Sequence, residues 1–169
     1  MKISSNGINF IKNEECKKDA EGKIICPLQA YPATPQEEKE GIYTIGYGNT
    51  FYSDGKKVKK SDKITQQQAD ELFANTIHEF ESKLQPMLTM PLTQNQYDAI
   101  VSLVYNIGLS AFVNSTILKD LHAGNYNKAA MDFTSWIYQH GKVLHGLVDR
   151  RNRERALFYE DHPQYSQED

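Results

Sequence analysis

An α+β fold in two lobes is what this sequence predicts: a small β-hairpin lobe over residues 16–64, joined by a long helix to a mainly helical lobe over residues 65–160. Three observations predict it. Gly22, Gly41, Gly46, Gly48 and Gly55 punctuate short β-branched and aromatic runs in the first third of the chain. From Thr65 onward apolar residues recur at three- and four-residue intervals. Thr65–Gln68 and Thr93–Gln96 both have the form of a capping box opening such a stretch. With 169 residues the chain is long enough for one domain with a substantial core.

The elements follow in order. Residues 4–15 read as a helix capped by Ser4 or Ser5, with Ile8 and Ile11 at helical spacing and Glu15 one further turn along. It is expected to pack against the helical lobe. Lys23–Ile25, Ile42–Tyr47 and Phe51–Tyr52 with Val58 read as strands, and Asp19-Ala20-Glu21-Gly22 and Ser53-Asp54-Gly55 as turns; Pro32–Glu37 reads as a loop. A lobe this small needs support from the rest of the chain. Ala69, Leu72, Phe73, Ile77, Phe80 and Leu84 mark a helix over 65–85 that ends at Pro86 and bridges the lobes. The helix from Thr93 to Gly108 is apolar on several sides, so it predicts the buried centre of the helical lobe. Shorter helices are expected near Ser115–His122, Tyr126–Tyr138 and Leu147–Tyr159, with Gly124, Gly141 and Gly146 between them. Phe133 and Trp136 read as core, and the polar tail 162–169 as frayed.

Composition excludes several function classes. Hydrophobic residues make up 39 % and charged residues 24 %, ordinary for a globular protein, and the net charge of −3 argues against a nucleic-acid partner. No stretch approaches the ~18 apolar residues of a membrane helix. Met1–Gly7 lacks the apolar centre of a secretory signal, so the expectation is export by another route or a leader already removed. Cys16 and Cys26 flank a hairpin; a cross-hairpin disulfide and two unpaired thiols both fit the sequence. The five histidines are scattered without metal-ligand spacing, so neither a metal nor a cofactor is expected.

Glu15 at the end of a rigid helix, read with the glycine-hinged stretch Glu38–Thr50, supplies one carboxylic acid, a second carboxylate and a hydroxyl. That is the equipment of glycoside hydrolysis, in which one group protonates the leaving oxygen while others hold a water on the opposite face of the sugar. Glu14 points about 100° away from Glu15 and cannot share its role.

The arrangement also resembles a family. Glu15 closing a helix, Ala30-Tyr31, Glu38 three residues before Gly41 and six before Thr44, and Thr44-Ile45-Gly46-Tyr47-Gly48 are similar to the phage-type lysozymes, the endolysin muramidases of glycoside hydrolase family 24. So are Leu92–Ala99, Tyr105-Asn106-Ile107-Gly108, Phe112–Thr116 and Gly146–Arg151 with Glu154, and together they cover about residues 5–160. The resemblance implies a lysozyme-like fold and cleavage of the β-1,4 bond between N-acetylmuramic acid and N-acetylglucosamine by inversion. Glu15 would be the general acid, and Glu38 and Thr44 would position water.

Glu38 stands where the family usually has aspartate, and counting forward from Tyr31 instead lands on Ala33. Tyr105, Asn106 and Ser115 match positions around the saccharide groove, and Arg150 or Arg151 a basic residue beside the acid. Asn49 replaces a frequent histidine, and a longer hairpin separates Glu15 from Tyr31. The implied partner is peptidoglycan glycan strands, bound by a monomer acting on the cell wall or in the periplasm. A catalytically silent peptidoglycan-binding module of the same fold is the alternative.

Overall fold

The computed structural model describes residues 1–139 and 141–161. The expected frayed tail at 162–169 lies outside them, as does His140. The chain forms two compact units, residues 12–79 and residues 1–11 with 80 onward, and passes from one to the other inside two helices. The boundaries thus fall within the helices expected at 4–15 and 65–85, rather than at their ends.

Helix α1 (Ser5–Glu15) begins where the Ser4 hydroxyl accepts the Gly7 N–H at 3.1 Å, an N-cap that satisfies one of the unpaired amides of a first turn. Its last turn belongs to the smaller unit. There β1 (Lys17–Lys18) pairs antiparallel with β2 (Ile24–Ile25), Lys17 opposite Ile25 and Lys18 opposite Ile24. The expected turn at Asp19–Gly22 is closed by the Gly22 N–H to the Asp19 carbonyl at 3.0 Å.

Beyond this hairpin, sheet structure in the small unit is thinner than expected. Ile42–Tyr47 and Phe51–Tyr52 take part in single bridges, Tyr31 to Thr44, Ile45 to Asn49 and Phe51 to Lys57, instead of ladders. The glycines interrupt each run before a second residue pair can form. Pro32–Glu37, expected as a loop, leads into a short helix, α2 (Pro35–Glu40), with a reciprocal capping box between Thr34 and Glu37. A core of Ala30, Ile45, Val58 and Leu72, with Tyr43, Tyr52 and Ile64 against it, holds the unit together.

Helix α3 (Gln66–Leu84) opens with the expected box. The Thr65 N–H reaches the Gln68 Oε1 at 2.8 Å, and the Gln68 N–H reaches the Thr65 Oγ1 at 3.1 Å.

In the larger unit, α4 (Gln94–Ile107) is the buried centre, with Gln96 through Val104 all buried. Around it run α5 (Leu109–Val113), α6 (Thr116–His122), α7 (Tyr126–Asp132) and α8 (His145–Tyr159). The helix expected over 126–138 stops at Asp132. A 3₁₀ turn at Phe133–Ser135 follows, and then the hairpin β3 (Tyr138–Gln139) with β4 (Lys142–Val143). The β-branched and aromatic run after Asp132 favours extended backbone over helix. Phe133 is core as expected, whereas Trp136 is only half-buried. Gly146, expected between helices, lies inside α8. Among the described residues no helix is long and apolar enough to cross a membrane.

Candidate active site

Glu15, Glu38 and Thr44 all belong to the smaller unit. Glu15 is the last residue of α1 and is half-buried. Its carboxylate lies against the Gly46-Tyr47-Gly48 turn, so closely that a Cβ built on Gly48 would stand 2.6 Å from Oε2. Gly48 has φ +83°, a backbone that L side chains rarely adopt. Both the conformation and the close approach therefore require glycine here.

Tyr31 pairs with Thr44 just before this turn. The two residues exchange backbone hydrogen bonds, Tyr31 N–H to Thr44 O at 3.0 Å and Thr44 N–H to Tyr31 O at 2.8 Å. Burial, then the neighbouring charges of Cys16, Glu15 and Glu37, raise the Tyr31 phenol above its ordinary pKa. Thr44 is 8 % exposed. The Tyr31–Thr44 bridge and the glycine turn that meets Glu15 thus lie on one short stretch, residues 44–48.

The turn itself is braced from behind. The Tyr47 hydroxyl donates to Asp70 Oδ1 at 2.9 Å, and Lys12 Nζ reaches the same oxygen at 2.9 Å. Lys12 also sits 4.5 Å from the Tyr47 ring centre and 5.3 Å from that of Phe73, within cation–π range. Asn49, where a histidine is usual in the family the sequence resembles, is buried and donates to Thr76 Oγ1 at 3.0 Å. Asn49 thus has its own support.

Glu38 differs from the other two. It lies on α2 with its side chain half-exposed, and Lys60 Nζ is 3.2 Å from Oε1. Its acidic neighbours are engaged as well: Glu37 accepts the Thr34 N–H at 3.1 Å and Glu40 accepts from Gln36 at 2.5 Å.

Tyr105, Asn106 and Ser115, expected around the saccharide groove, and Arg150 and Arg151, of which one was expected as the basic residue beside the acid, belong to the larger unit. Tyr105 is half-buried and meets Phe80 edge-to-face, ring centres 6.0 Å apart. Asn106 is exposed, and its Oδ1 accepts from Arg151 at 2.5 Å. Ser115, Arg150 and Arg151 are engaged with other groups of the protein. The Ser115 hydroxyl is buried as the N-cap of α6, accepting the Leu118 N–H at 3.3 Å and donating to the Phe112 carbonyl at 2.6 Å.

Both arginines are buried around Glu154. Arg150 Nε reaches Oε1 and Arg151 Nε reaches Oε2, each at 3.1 Å, while the Ser102 hydroxyl donates to Oε1 at 2.7 Å. Burial pushes the Glu154 carboxyl above its usual pKa, and the two arginines oppose that shift. Among the described residues no three His, Cys, Asp or Glu side chains are grouped to hold a metal ion.

Comparison with known proteins places this arrangement. Residues 26–154 match the Phage lysozyme family. The endolysin of Salmonella phage P22 is 41 % identical over 158 residues, 94 % of this chain and 98 % of that protein. The endolysin of Bacillus phage B103 is 40 % identical over 158 residues, and there this chain spans only 54 % of the relative's length. The solved endolysin from Escherichia coli O157:H7 phage FAHEc1 aligns with a TM-score of 0.77 at 33 % identity, covering 95 % of each chain.

The chain belongs to the phage lysozyme family. It is an endolysin-type glycosidase with the lysozyme-like fold. Sequence reasoning overlooked the bracing of Tyr47 by Lys12 and Asp70, because an ion pair between a first-helix lysine and a third-helix aspartate leaves no local pattern. It also overlooked α2, although Thr34-Pro35-Gln36-Glu37 carries both a capping box and a proline at the first helical position.

Proposed function

We propose that this lysozyme hydrolyses the β-1,4 bond between N-acetylmuramic acid and N-acetylglucosamine in peptidoglycan by single displacement, with Glu15 as the general acid. Glu15 delivers its proton to the glycosidic oxygen as the bond breaks. A water held by Thr44 and Glu38 attacks the anomeric carbon from the other face and inverts it. The observation that carries this reading is the seating of the Glu15 carboxylate on the Gly48 backbone, on the same short stretch as Thr44 of the Tyr31–Thr44 bridge. A rigid helix end and a glycine turn hold the acid in a fixed place, which is what general acid catalysis needs.

Of the five candidates in the larger unit, Tyr105 and Asn106 keep exposed surface and are the ones assigned to saccharide contact. Arg151 acts one step back by holding Asn106, and Arg150 and Ser115 serve the scaffold.

The test is release of reducing ends from purified peptidoglycan. Glu15→Gln should reduce it to background while leaving the unfolding midpoint close to that of the parent. NMR of the first products should show the α-anomer of the newly formed reducing end. Initial β-anomer would overturn inversion, and full activity in Glu15→Gln would overturn the assignment of the acid.

The ion pair of Glu38 with Lys60 favours a second reading, a wall-binding module whose second carboxylate is lost to a surface contact. Cosedimentation with peptidoglycan without any reducing ends would support that module. Loss of turnover in Glu38→Gln, with binding retained, would support the enzyme.

A further inference from the structure

The hairpin that follows α1 brings the two cysteines face to face. Lys17 pairs with Ile25 and Lys18 with Ile24, so the same register carried one residue past the open end of the ladder sets Cys16 opposite Cys26. The Asp19 N–H bonds the Lys23 carbonyl at 2.9 Å, which marks 19 and 23 as a hydrogen-bonded pair. Alternation along an antiparallel ladder then makes 17 and 25 hydrogen-bonded and 16 and 26 the closer, non-bonded kind. There Cα atoms stand about 4.5 Å apart and side chains approach most closely. That separation lies inside the range a disulfide spans, about 4.4–6.8 Å.

Both residues are free thiols and neither is fully buried. The Cys16 thiol donates to the Cys26 sulfur, which holds Cys26 below the ordinary thiol pKa and Cys16 above it. The Tyr47 hydroxyl also lies in hydrogen-bond reach of Cys26, and the Lys12 charge favours the same thiolate, against burial and Asp70.

We propose that Cys16 and Cys26 are a reversible dithiol–disulfide site, oxidised by a low-molecular-weight disulfide. The thiolate of one cysteine attacks one sulfur of the small disulfide, forming a mixed disulfide and expelling one small thiolate. The other cysteine gives up its proton to that thiolate and attacks the sulfur of the first, expelling the second. The protein loses two hydrogens and gains one S–S bond, and the small disulfide is reduced to two thiols. The product staples the hairpin to the residue that follows Glu15, so the site lies beside the proposed acid without depending on its role.

The experiment incubates the full chain with oxidised glutathione under anaerobic conditions and follows intact mass and free thiols. The parent should lose both thiols and two hydrogen masses while retaining no glutathione, and its thermal midpoint should rise and return on adding dithiothreitol. Cys16→Ser should trap glutathione on Cys26. Cys26→Ser should likewise trap it on Cys16. Circular dichroism of both variants should match that of the parent. Persistent glutathione adducts or disulfide-linked dimers in the parent would overturn the site. Two thiols left unreacted in the parent would overturn it as well.

Discussion

The Glu15 carboxylate rests on Gly48: a Cβ at that position would come within 2.6 Å of Oε2 and 3.2 Å of Cδ. An alanine there meets two penalties. The left-handed backbone at φ +83° costs about 1–2 kcal/mol for a residue with a Cβ, and the methyl displaces the acid. Gly22→Ala separates them, because Gly22 has φ +81° with nothing within 4 Å of its would-be Cβ. Both variants should lose comparable stability in urea unfolding. Only Gly48→Ala should lose activity, by roughly 100-fold, the scale expected when a catalytic group moves by about 1 Å. Full activity in Gly48→Ala would show that the acid tolerates displacement.

Asp70 links the smaller unit to pH. The hydrogen bond from Lys12 holds its carboxyl below the ordinary aspartate value, with Gln66 and Tyr47 adding to the effect against burial. A depressed folded-state pKa contributes stability that is complete above the unfolded value near 3.9 and is lost as pH falls through the folded value. Because Asp70 is half-exposed, the contribution should stay within about 1 kcal/mol. Asp70→Asn is expected to lower the urea midpoint slightly at pH 7. The deficit should be smaller at pH 2–3 than at pH 7, since protonation of the parent then progressively removes the same interaction. An equal deficit at both pH values would assign the effect to packing rather than charge.

The helices were legible where capping chemistry and apolar period coincide. Thr65–Gln68 and Thr93–Gln96 each precede a periodic apolar stretch, and both form their reciprocal bonds. Thr34–Glu37 has the same chemistry, but α2 buries no residue, so no period accompanies it. The hairpin at 17–25 could be read from its Asp-to-Gly turn. The β3–β4 hairpin could not, because Phe133–Tyr138 continues the apolar spacing of α7 while its residue types favour extended backbone. Glu15 and Thr44 were visible as motifs. The Arg150–Arg155 run reads as a solvated charged face, and only α4, through Ser102 and Asn106, turns two of its arginines inward.

Ser115 carries a prediction that divides scaffold from substrate contact. Its hydroxyl accepts the Leu118 N–H at the start of α6 and donates to the Phe112 carbonyl of α5. Removing an N-cap hydroxyl costs about 1 kcal/mol. Ser115→Ala should therefore lower the unfolding midpoint and leave KM for peptidoglycan fragments unchanged. Ser115→Thr should retain the cap. A raised KM with unaltered stability would return Ser115 to the saccharide.

Glu154 is the stiffest commitment in the larger unit. Its side chain is 0 % exposed, with the Ser102 hydroxyl and both Arg150 and Arg151 directed at it. Removing one member of a buried charge group leaves the others uncompensated, which costs about 3–5 kcal/mol. Glu154→Ala strands two guanidiniums and should fall at the upper end of that range in urea unfolding. Glu154→Gln keeps the shape and one acceptor but not the charge, so its loss should be smaller and yet well above that of Ser115→Ala. Because Arg151 also donates to Asn106, both variants should raise KM as well as lower stability. A Glu154→Gln protein as stable as the parent would mean that hydrogen bonding to neutral groups suffices there and that the paired charges contribute nothing.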